Sequence, residues 1–154
     1  MNFIQSEAVL VNRMIQTLLD MGHERVSILD EQTLLTNFRK QISLHNLHKH
    51  LNNTPLTDSE FDRLLISLGG KGVFNSAYNL RQLQSLTRDD GTNTYIELIN
   101  QSEWCKNRFQ VTNQITVNAR RVNRFDVTIL INGLPLVQVE LKKRVCSLNK
   151  HSIK

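Results

Sequence analysis

The segment Arg124–Lys142, R-F-D-V-T-I-L-I-N-G-L-P-L-V-Q-V-E-L-K, constrains the fold more than any other part of the sequence. Two apolar runs flank Asn132-Gly133, a dipeptide that favours the tight turn of a β-hairpin. Asp126 stands near the start of the first run and Glu140 near the end of the second, so both acids lie at the open end of the predicted hairpin. Lys142 follows Glu140 by two positions, which places it on the same face of the strand.

The register of this hairpin decides whether the two carboxylates share a face. A strict two-residue Asn-Gly loop would set Asp126 opposite Val139, and Glu140 would then point to the other face. An odd loop, such as a three-residue turn with a bulge at Gly133, shifts the register by one and brings Asp126 and Glu140 together. Only the odd loop separates apolar from polar side chains, so we predict it. The apolar face would hold Phe125, Val127, Ile129, Ile131, Val137, Val139 and Leu141, and the polar face Asp126, Thr128, Gln138, Glu140 and Lys142.

Two carboxylates and a lysine at neighbouring strand ends suit a hard divalent cation with a water molecule beside it. On spacing alone, a half-buried hairpin with a solvated charged face explains the same pattern. Upstream, residues 6–21 predict an amphipathic helix. Glu7 lies at the N-terminal end of its apolar stripe, where an acid either joins a metal site or only favours the helix N-terminus electrostatically.

The rest of the chain predicts helices followed by strands. The capping box Thr57-Asp58-Ser59-Glu60 begins one helix. This order favours a mixed α/β domain in which helices cover a sheet. His45, His48 and His50 do not share one helix face, so no metal site is expected there. Further helices are predicted at about 32–51 and 73–80, and strands at 26–29, 83–87, 94–99 and 109–117.

The net charge of +5 is concentrated at one end of the chain. A basic tail beside paired carboxylates favours a polyanionic partner such as nucleic acid, although a solubilising tail is the alternative. Three arginines in the turn before Asp126 either contact phosphates or form a solvated turn. The basic residues concerned are Arg120, Arg121 and Arg124 in the turn, and Lys142, Lys143, Arg144, Lys150 and Lys154 in the tail.

No apolar run approaches the length of a membrane span, and the N-terminus lacks the pattern of a signal peptide. Cys105 and Cys146 show no metal-ligand spacing. We therefore expect a cytoplasmic protein with free thiols.

Several blocks of the sequence together resemble the N-terminal nuclease region of the restriction (R) subunit of type I restriction–modification enzymes. The resemblance covers roughly residues 3–144. It implies an α/β fold of the restriction-endonuclease-like PD-(D/E)xK class, with a mixed sheet flanked by helices, and Mg²⁺-dependent cleavage of DNA by a type I site-specific deoxyribonuclease. The blocks are S-E-A at 6–8, T-D-S-E-F-D-R at 57–63, R-D-D-G at 88–91, W-C-K-N-R-F-Q-V-T-N-Q at 104–114, and 124–142.

The resemblance also assigns roles. Asp126 and Glu140 match the metal-binding acids, with the carbonyl of Leu141 as a further oxygen ligand, and Lys142 matches the lysine that positions the attacking water. Glu7 is similar to the acid on the first helix of such sites. The implied partners are double-stranded DNA and the modification and specificity subunits of a restriction complex. Candidate DNA contacts are Arg120, Arg121, Arg124, Lys143 and Arg144.

The family pattern continues into a helix with a Gln-x-x-x-Tyr motif and then into an ATP-driven motor. Neither follows Lys142 in this sequence. We therefore expect a truncated endonuclease-like domain over residues 1–144 and an irregular basic tail over 145–154. The alternative function is a catalytically inactive fragment with at most a weak DNA-binding or interaction role.

Overall fold

The computed structural model describes residues 6–69, 72–113, 116–118, 122–124 and 126–142. In these segments the helices precede most of the strands, as the sequence predicts. The helices are α1 (Glu7–Asp20), α2 (Glu31–Asn46), α3 (Asp58–Leu68), α4 (Val73–Leu80) and a 3-10 turn (Trp104–Lys106). The strands are β1 (Glu24–Arg25), β2 (Gln84–Thr87), β3 (Asn93–Ile96), β4 (Phe109–Thr112), β5 (Thr116–Asn118), β6 (Val122–Arg124), β7 (Val127–Ile131) and β8 (Leu134–Val139).

A four-stranded mixed sheet forms the centre of the fold, in the order β1-β4-β7-β8. β1 runs parallel to β4, and the other neighbours are antiparallel. Two separate antiparallel hairpins, β2–β3 and β5–β6, complete the described strands. The predicted mixed α/β class, with helices covering a sheet, is confirmed.

The strand predicted at 26–29 is wrong, because pairing with β4 ends almost as soon as it begins. β1 covers only Glu24–Arg25, and one further backbone bond joins the N–H of Val26 to the carbonyl of Val111 at 3.0 Å. Asp30 then caps α2 by accepting the N–H of Thr33 at 2.8 Å. The chain therefore turns into a helix where the apolar run suggests a continuing strand.

Helices α1 and α2 cover opposite faces of the sheet. On one face, Ile15 of α1 packs against Val111 and Val127. Side chains alternate along a strand, so Gln110 and Leu130 face the other side. There the amide of Asn37 in α2 donates to Gln110 at 2.9 Å.

A second apolar core joins α2 and α3 to the β2–β3 hairpin. Phe38 of α2 and Phe61 of α3 meet edge to face, with ring centroids 5.6 Å apart. Leu64, Leu86 and Ile96 are buried in the same cluster. Helix α2 thus contacts both the central sheet and this outer layer. Within the described ranges, no helix is long and apolar enough to span a membrane.

A buried carboxylate ties the start of α3 to the β2–β3 turn. The side chain of Glu60 is only 2% exposed and pairs with Nε of Arg88 at 2.7 Å. It also accepts the backbone N–H groups of Thr57 at 3.0 Å and Asp89 at 2.9 Å. Asp89 in turn accepts Thr57 Oγ1 at 2.5 Å and Arg63 Nη2 at 2.6 Å. The predicted capping box is confirmed, and the blocks 57–63 and 88–91 form one structural connection.

This connection makes stability depend on pH. Burial raises the pKa of Glu60, but the N–H groups of Asp89 and Thr57 and the Arg88 guanidinium outweigh burial, so the pKa lies below its ordinary value. The unfolded chain then binds protons more readily than the folded chain. The stabilisation is complete above the unfolded pKa, about 4.3, and is lost as the pH falls through the lower folded pKa.

We expect Glu60→Gln to lower the free energy of unfolding by about 2–3 kcal/mol at pH 7, because it leaves Arg88 without its buried partner. The variant should also lose less stability than the wild-type chain as the pH falls below about 4.3. Urea unfolding at several pH values measures both effects. The control Glu31→Gln, an exposed acid in α2, should change stability by less than about 0.5 kcal/mol. Equal stability of Glu60→Gln and the wild-type chain would contradict the assignment.

Candidate active site

The loop between β7 and β8 contains two residues, so the predicted odd loop is wrong. Asn132 has a φ of 50° and Gly133 a φ of 84°, which are the left-handed values of a tight hairpin turn whose twist matches the flanking strands. A Cβ at Gly133 would lie 2.7 Å from the Cα of Phe38. The hairpin tip is therefore pressed against α2, and glycine is required there.

The side chain of Asn132 fixes this tip from within. It is fully buried, and its Nδ2 donates to the carbonyl of Leu98 and to Oδ1 of Asn107, both at 2.9 Å. Its Oδ1 accepts the N–H of Arg108 at 2.9 Å. The turn residue thus holds the hairpin against the segment that leads into β4.

The predicted register at the open end of the hairpin is confirmed, although it arises from a different feature. Ile129 pairs with Val137, whereas the next residue, Leu130, pairs with Pro135. Leu136 is therefore an extra residue, a β-bulge in the edge strand. Beyond the bulge Val127 pairs with Val139, and Asp126 and Glu140 follow at adjacent ends of the two strands.

The predicted division into an apolar and a solvated polar face is wrong in part. Thr128 and Leu130 are both fully buried, and Val137 is 42% exposed. The reason is the position of the strands in the sheet. β7 is an inner strand with a helix on each face, whereas β8 lies at the edge of the described sheet.

The Asp126 carboxylate lies beside the chain that carries the second acid. Its Oδ2 accepts the N–H of Leu141 at 2.6 Å, and its own N–H donates to the carbonyl of Val139 at 3.1 Å. Glu140 and Lys142 project into solvent, with side-chain exposures of 67% and 82% and an Oε2–Nζ distance of 3.8 Å. Backbone contacts therefore orient Asp126, while Glu140 and Lys142 remain accessible to a substrate.

Glu7 and Asp126 both line an open pocket of about 310 Å³ between α1 and the ends of β4 and β7. Asn12 of α1 and Asn113, which follows β4, line the same pocket. Neither amide belongs to the site that the sequence predicts. The sequence did carry one indication of Asn113, because it is a polar residue in the series Phe109, Val111, Asn113, whose other members are apolar.

The oxygen donors at this place suit a hard cation. Mg²⁺ is commonly held by one or two carboxylates together with waters and substrate phosphates, and Asp126 and Glu140 would supply two carboxylates. Among the residues that the structure describes, no group of three or more His, Cys, Asp and Glu side chains is arranged to hold a metal ion. The roles of Glu7, Asp126, Glu140, Lys142 and the Leu141 carbonyl stay predictions.

The predicted DNA contacts fall mostly on parts of the chain outside the described residues. Arg124 ends β6, where it pairs with Thr116 of β5. DNA binding by these basic residues stays a prediction. Those outside the described residues are Arg120, Arg121, Lys143 and Arg144.

The comparisons with known proteins agree on one family. A family model described as type I restriction enzyme R protein N terminus matches residues 4–153. The endonuclease subunit of type I restriction enzyme SauMSSORF170P from Staphylococcus aureus strain MSSA476 is 49% identical over 146 residues, which cover 95% of this chain and 16% of that protein.

Two other relatives carry similar names. The SsaAORF53P endonuclease subunit from Staphylococcus saprophyticus is 48% identical, again over 95% of this chain and 16% of the relative. The EcoprrI endonuclease subunit from Escherichia coli is 35% identical over 91% of this chain and 45% of the relative. The chain therefore spans about one sixth of the length of the staphylococcal relatives.

We expect deletion of Leu136 to remove the bulge and slip β8 by one residue, which turns Glu140 to the opposite face. Loss of one carboxylate ligand should weaken Mn²⁺ binding by at least about tenfold. Isothermal titration calorimetry measures this affinity, with circular dichroism to verify folding.

The matched control is Leu136→Ala, which keeps the residue count and the register. It should bind Mn²⁺ within about twofold of the wild-type chain. A folded deletion variant that binds Mn²⁺ as tightly as the wild-type chain would show that the register does not assemble the site.

Proposed function

The chain belongs to the family of type I restriction enzyme R protein N-terminal regions, and on that premise we propose that it carries the DNA-cleaving site of such an enzyme. The relatives are named as endonuclease subunits of type I restriction enzymes. The proposed reaction is metal-dependent hydrolysis of a phosphodiester bond in double-stranded DNA. The proposed fold type is the PD-(D/E)xK nuclease, in which an acid precedes an acid-x-lysine strand.

One observation carries the proposal. The hairpin register brings the end of β8 beside Asp126, whose carboxylate accepts the Leu141 N–H at 2.6 Å. Leu141 lies between Glu140 and Lys142, so the acid-x-lysine segment adjoins the first acid. This is the arrangement that the proposed reaction requires.

The donor chemistry fits Mg²⁺. Asp126 and Glu140 would hold the ion through carboxylate oxygens, with the Leu141 carbonyl as a further hard ligand. Bound at such a site, a divalent ion acidifies a coordinated water and offsets phosphate charge. Glu7, across the pocket from Asp126, would accept a hydrogen bond from a water of that shell.

Lys142 would act on the attacking water. Its ammonium group is exposed and lies 3.8 Å from the Glu140 carboxylate, so it can reach a molecule held at that carboxylate. A fixed positive charge there holds the water in line with the phosphorus and stabilises the negative charge that develops on the phosphate oxygens.

The DNA and its partner subunits extend the proposal beyond this chain. Arginine and lysine contacts to phosphates position a protein on a duplex without reading its sequence, and the basic residues 120–124 and 142–144 would serve this purpose. Because the chain spans only part of its relatives, ATP use and assembly with modification and specificity subunits are proposed for the longer subunit.

A second candidate function is a catalytically inactive fragment that binds DNA weakly or serves as an interaction surface. The observation that favours it is the high exposure of Glu140 and Lys142. Ligand groups that are displaced by about 1 Å can lose on the order of 100-fold in rate. Cleavage itself distinguishes the two functions.

We expect the purified chain to nick supercoiled plasmid slowly with Mg²⁺ or Mn²⁺ and to stop when a chelator is added. Asp126→Ala should abolish nicking because it removes a metal ligand, and Lys142→Ala should reduce it by about 100-fold or more. Agarose-gel electrophoresis of the nicked circle measures the rate.

The matched control for Lys142→Ala is Lys40→Ala, a lysine of α2 that is distant in sequence from the hairpin; it should cut like the wild-type chain. Nicking that survives Asp126→Ala or needs no metal would refute the proposal. An intact plasmid under all metal conditions would favour the inactive fragment.

A further inference from the structure

We propose that Asn113, assisted by Asn12 across the pocket, donates hydrogen bonds to the DNA phosphate at the candidate active site. This assignment rests on the proposed nuclease function and adds a group that binds the phosphate directly. It follows from where the two amides lie, from the lack of a hydrogen-bond partner for either amide among the described residues, and from the charge of the described pocket lining.

The geometry of two elements brings Asn113 to the acids. Along α1, Ile15, Val11 and Glu7 are spaced by four residues and so share one helix face. β4 ends at Thr112, and Asn113 is the next residue, two positions beyond Val111. Ile15 packs on Val111. Moving outward from this contact, the helix face reaches Glu7 and the chain after β4 reaches Asn113, and both residues line the pocket.

The amide of Asn113 has no hydrogen-bond partner among the described residues, although its side chain is partly buried. Most asparagine amides at comparable or greater depth in this protein are engaged. Asn107 donates to the Asn100 carbonyl at 2.8 Å, for example, and Asn132 to the Leu98 carbonyl at 2.9 Å. The unpaired Asn113 amide is therefore available to a ligand that enters the pocket.

The charge of the pocket explains why an amide is useful there. Among the residues that the structure describes, its lining contains the carboxylates of Glu7 and Asp126 and no Lys or Arg. Carboxylates repel a phosphate until a divalent ion offsets their charge. An amide N–H₂ group carries no net charge, so it can donate to a phosphate oxygen without competing with the ion for the acids. Asn12, exposed on α1, lines the same pocket and offers a second donor.

The test separates phosphate binding from metal binding. Fluorescence anisotropy measures the affinity for a 20-base-pair duplex in Ca²⁺, which replaces Mg²⁺ to limit cutting, and again in EDTA. Calorimetry measures the affinity of the free chain for Mn²⁺. The chains compared are the wild type, Asn113→Ala, Asn113→Asp, Asn12→Ala, and the control Gln16→Ala, an exposed amide of α1 outside the pocket.

We expect Asn113→Ala to bind the duplex about tenfold more weakly in Ca²⁺, as loss of a charge-assisted hydrogen bond implies. Its affinity in EDTA and its affinity for Mn²⁺ should not change. Asn113→Asp should bind DNA at least as weakly as Asn113→Ala while it binds Mn²⁺ more tightly. Asn12→Ala should lose about threefold in Ca²⁺, and Gln16→Ala should match the wild type.

Three results would overturn the assignment, and they are distinguishable. If Asn113→Ala binds the duplex in Ca²⁺ as tightly as the wild type, the contact between Asn113 and the phosphate is refuted and the proposed nuclease function is not. If Asn113→Asp binds the duplex in Ca²⁺ as tightly as the wild type, Asn113 acts as a metal ligand and not as a donor to the phosphate. A wild-type chain that gains no DNA affinity from Ca²⁺ and binds no Mn²⁺ overturns the proposed function itself, and this inference with it.

Discussion

The fixed position of the Asn132-Gly133 turn is the constraint on which the rest of the candidate site depends. The Asn132 side chain is hydrogen-bonded to Leu98, Asn107 and Arg108, and Gly133 approaches α2 too closely for any side chain. With the tip held in place, the number of residues between the turn and the acids alone determines which face each acid occupies. The bulge at Leu136 supplies the one extra residue that sets Asp126 and Glu140 at neighbouring strand ends.

The helices act on this hairpin from both sides. α1 packs on Val111 and Val127 and brings Glu7 to the mouth of the hairpin, whereas α2 supports the tip. The Glu60–Arg88 pair is remote in sequence from the acids, yet it holds α3 and the β2–β3 hairpin against α2 through their shared core. The solvent-accessible charged side chains of the site are thereby supported by a frame in which Asn132 and Glu60 are buried and hydrogen-bonded.

The sequence predicted much of this arrangement, for physical reasons that also explain its errors. The capping box at Thr57 and the stripe on α1 are local patterns, and both are confirmed. The expected separation of apolar from polar side chains gave the right register at the acids. It could not locate the bulge, because an extra residue at Gly133 or at Leu136 satisfies the residue count equally well. Burial of Thr128 and exposure of Val137 depend on which strand lies inside the sheet. The order of the strands in the sheet is a tertiary property, and the alternation of apolar and polar residues along one hairpin does not reveal it.

We propose that Asp126 and Glu140 together hold one divalent cation, and the DNA-cleaving function depends on this. Anomalous diffraction from crystals of the chain grown with Mn²⁺ tests it directly. We expect a strong anomalous peak between the two carboxylates, about 2.0–2.3 Å from an oxygen of each. A well-ordered structure with Mn²⁺ bound only elsewhere, or with the Asp126 carboxylate still bonded solely to the Leu141 N–H at saturating Mn²⁺, would contradict it.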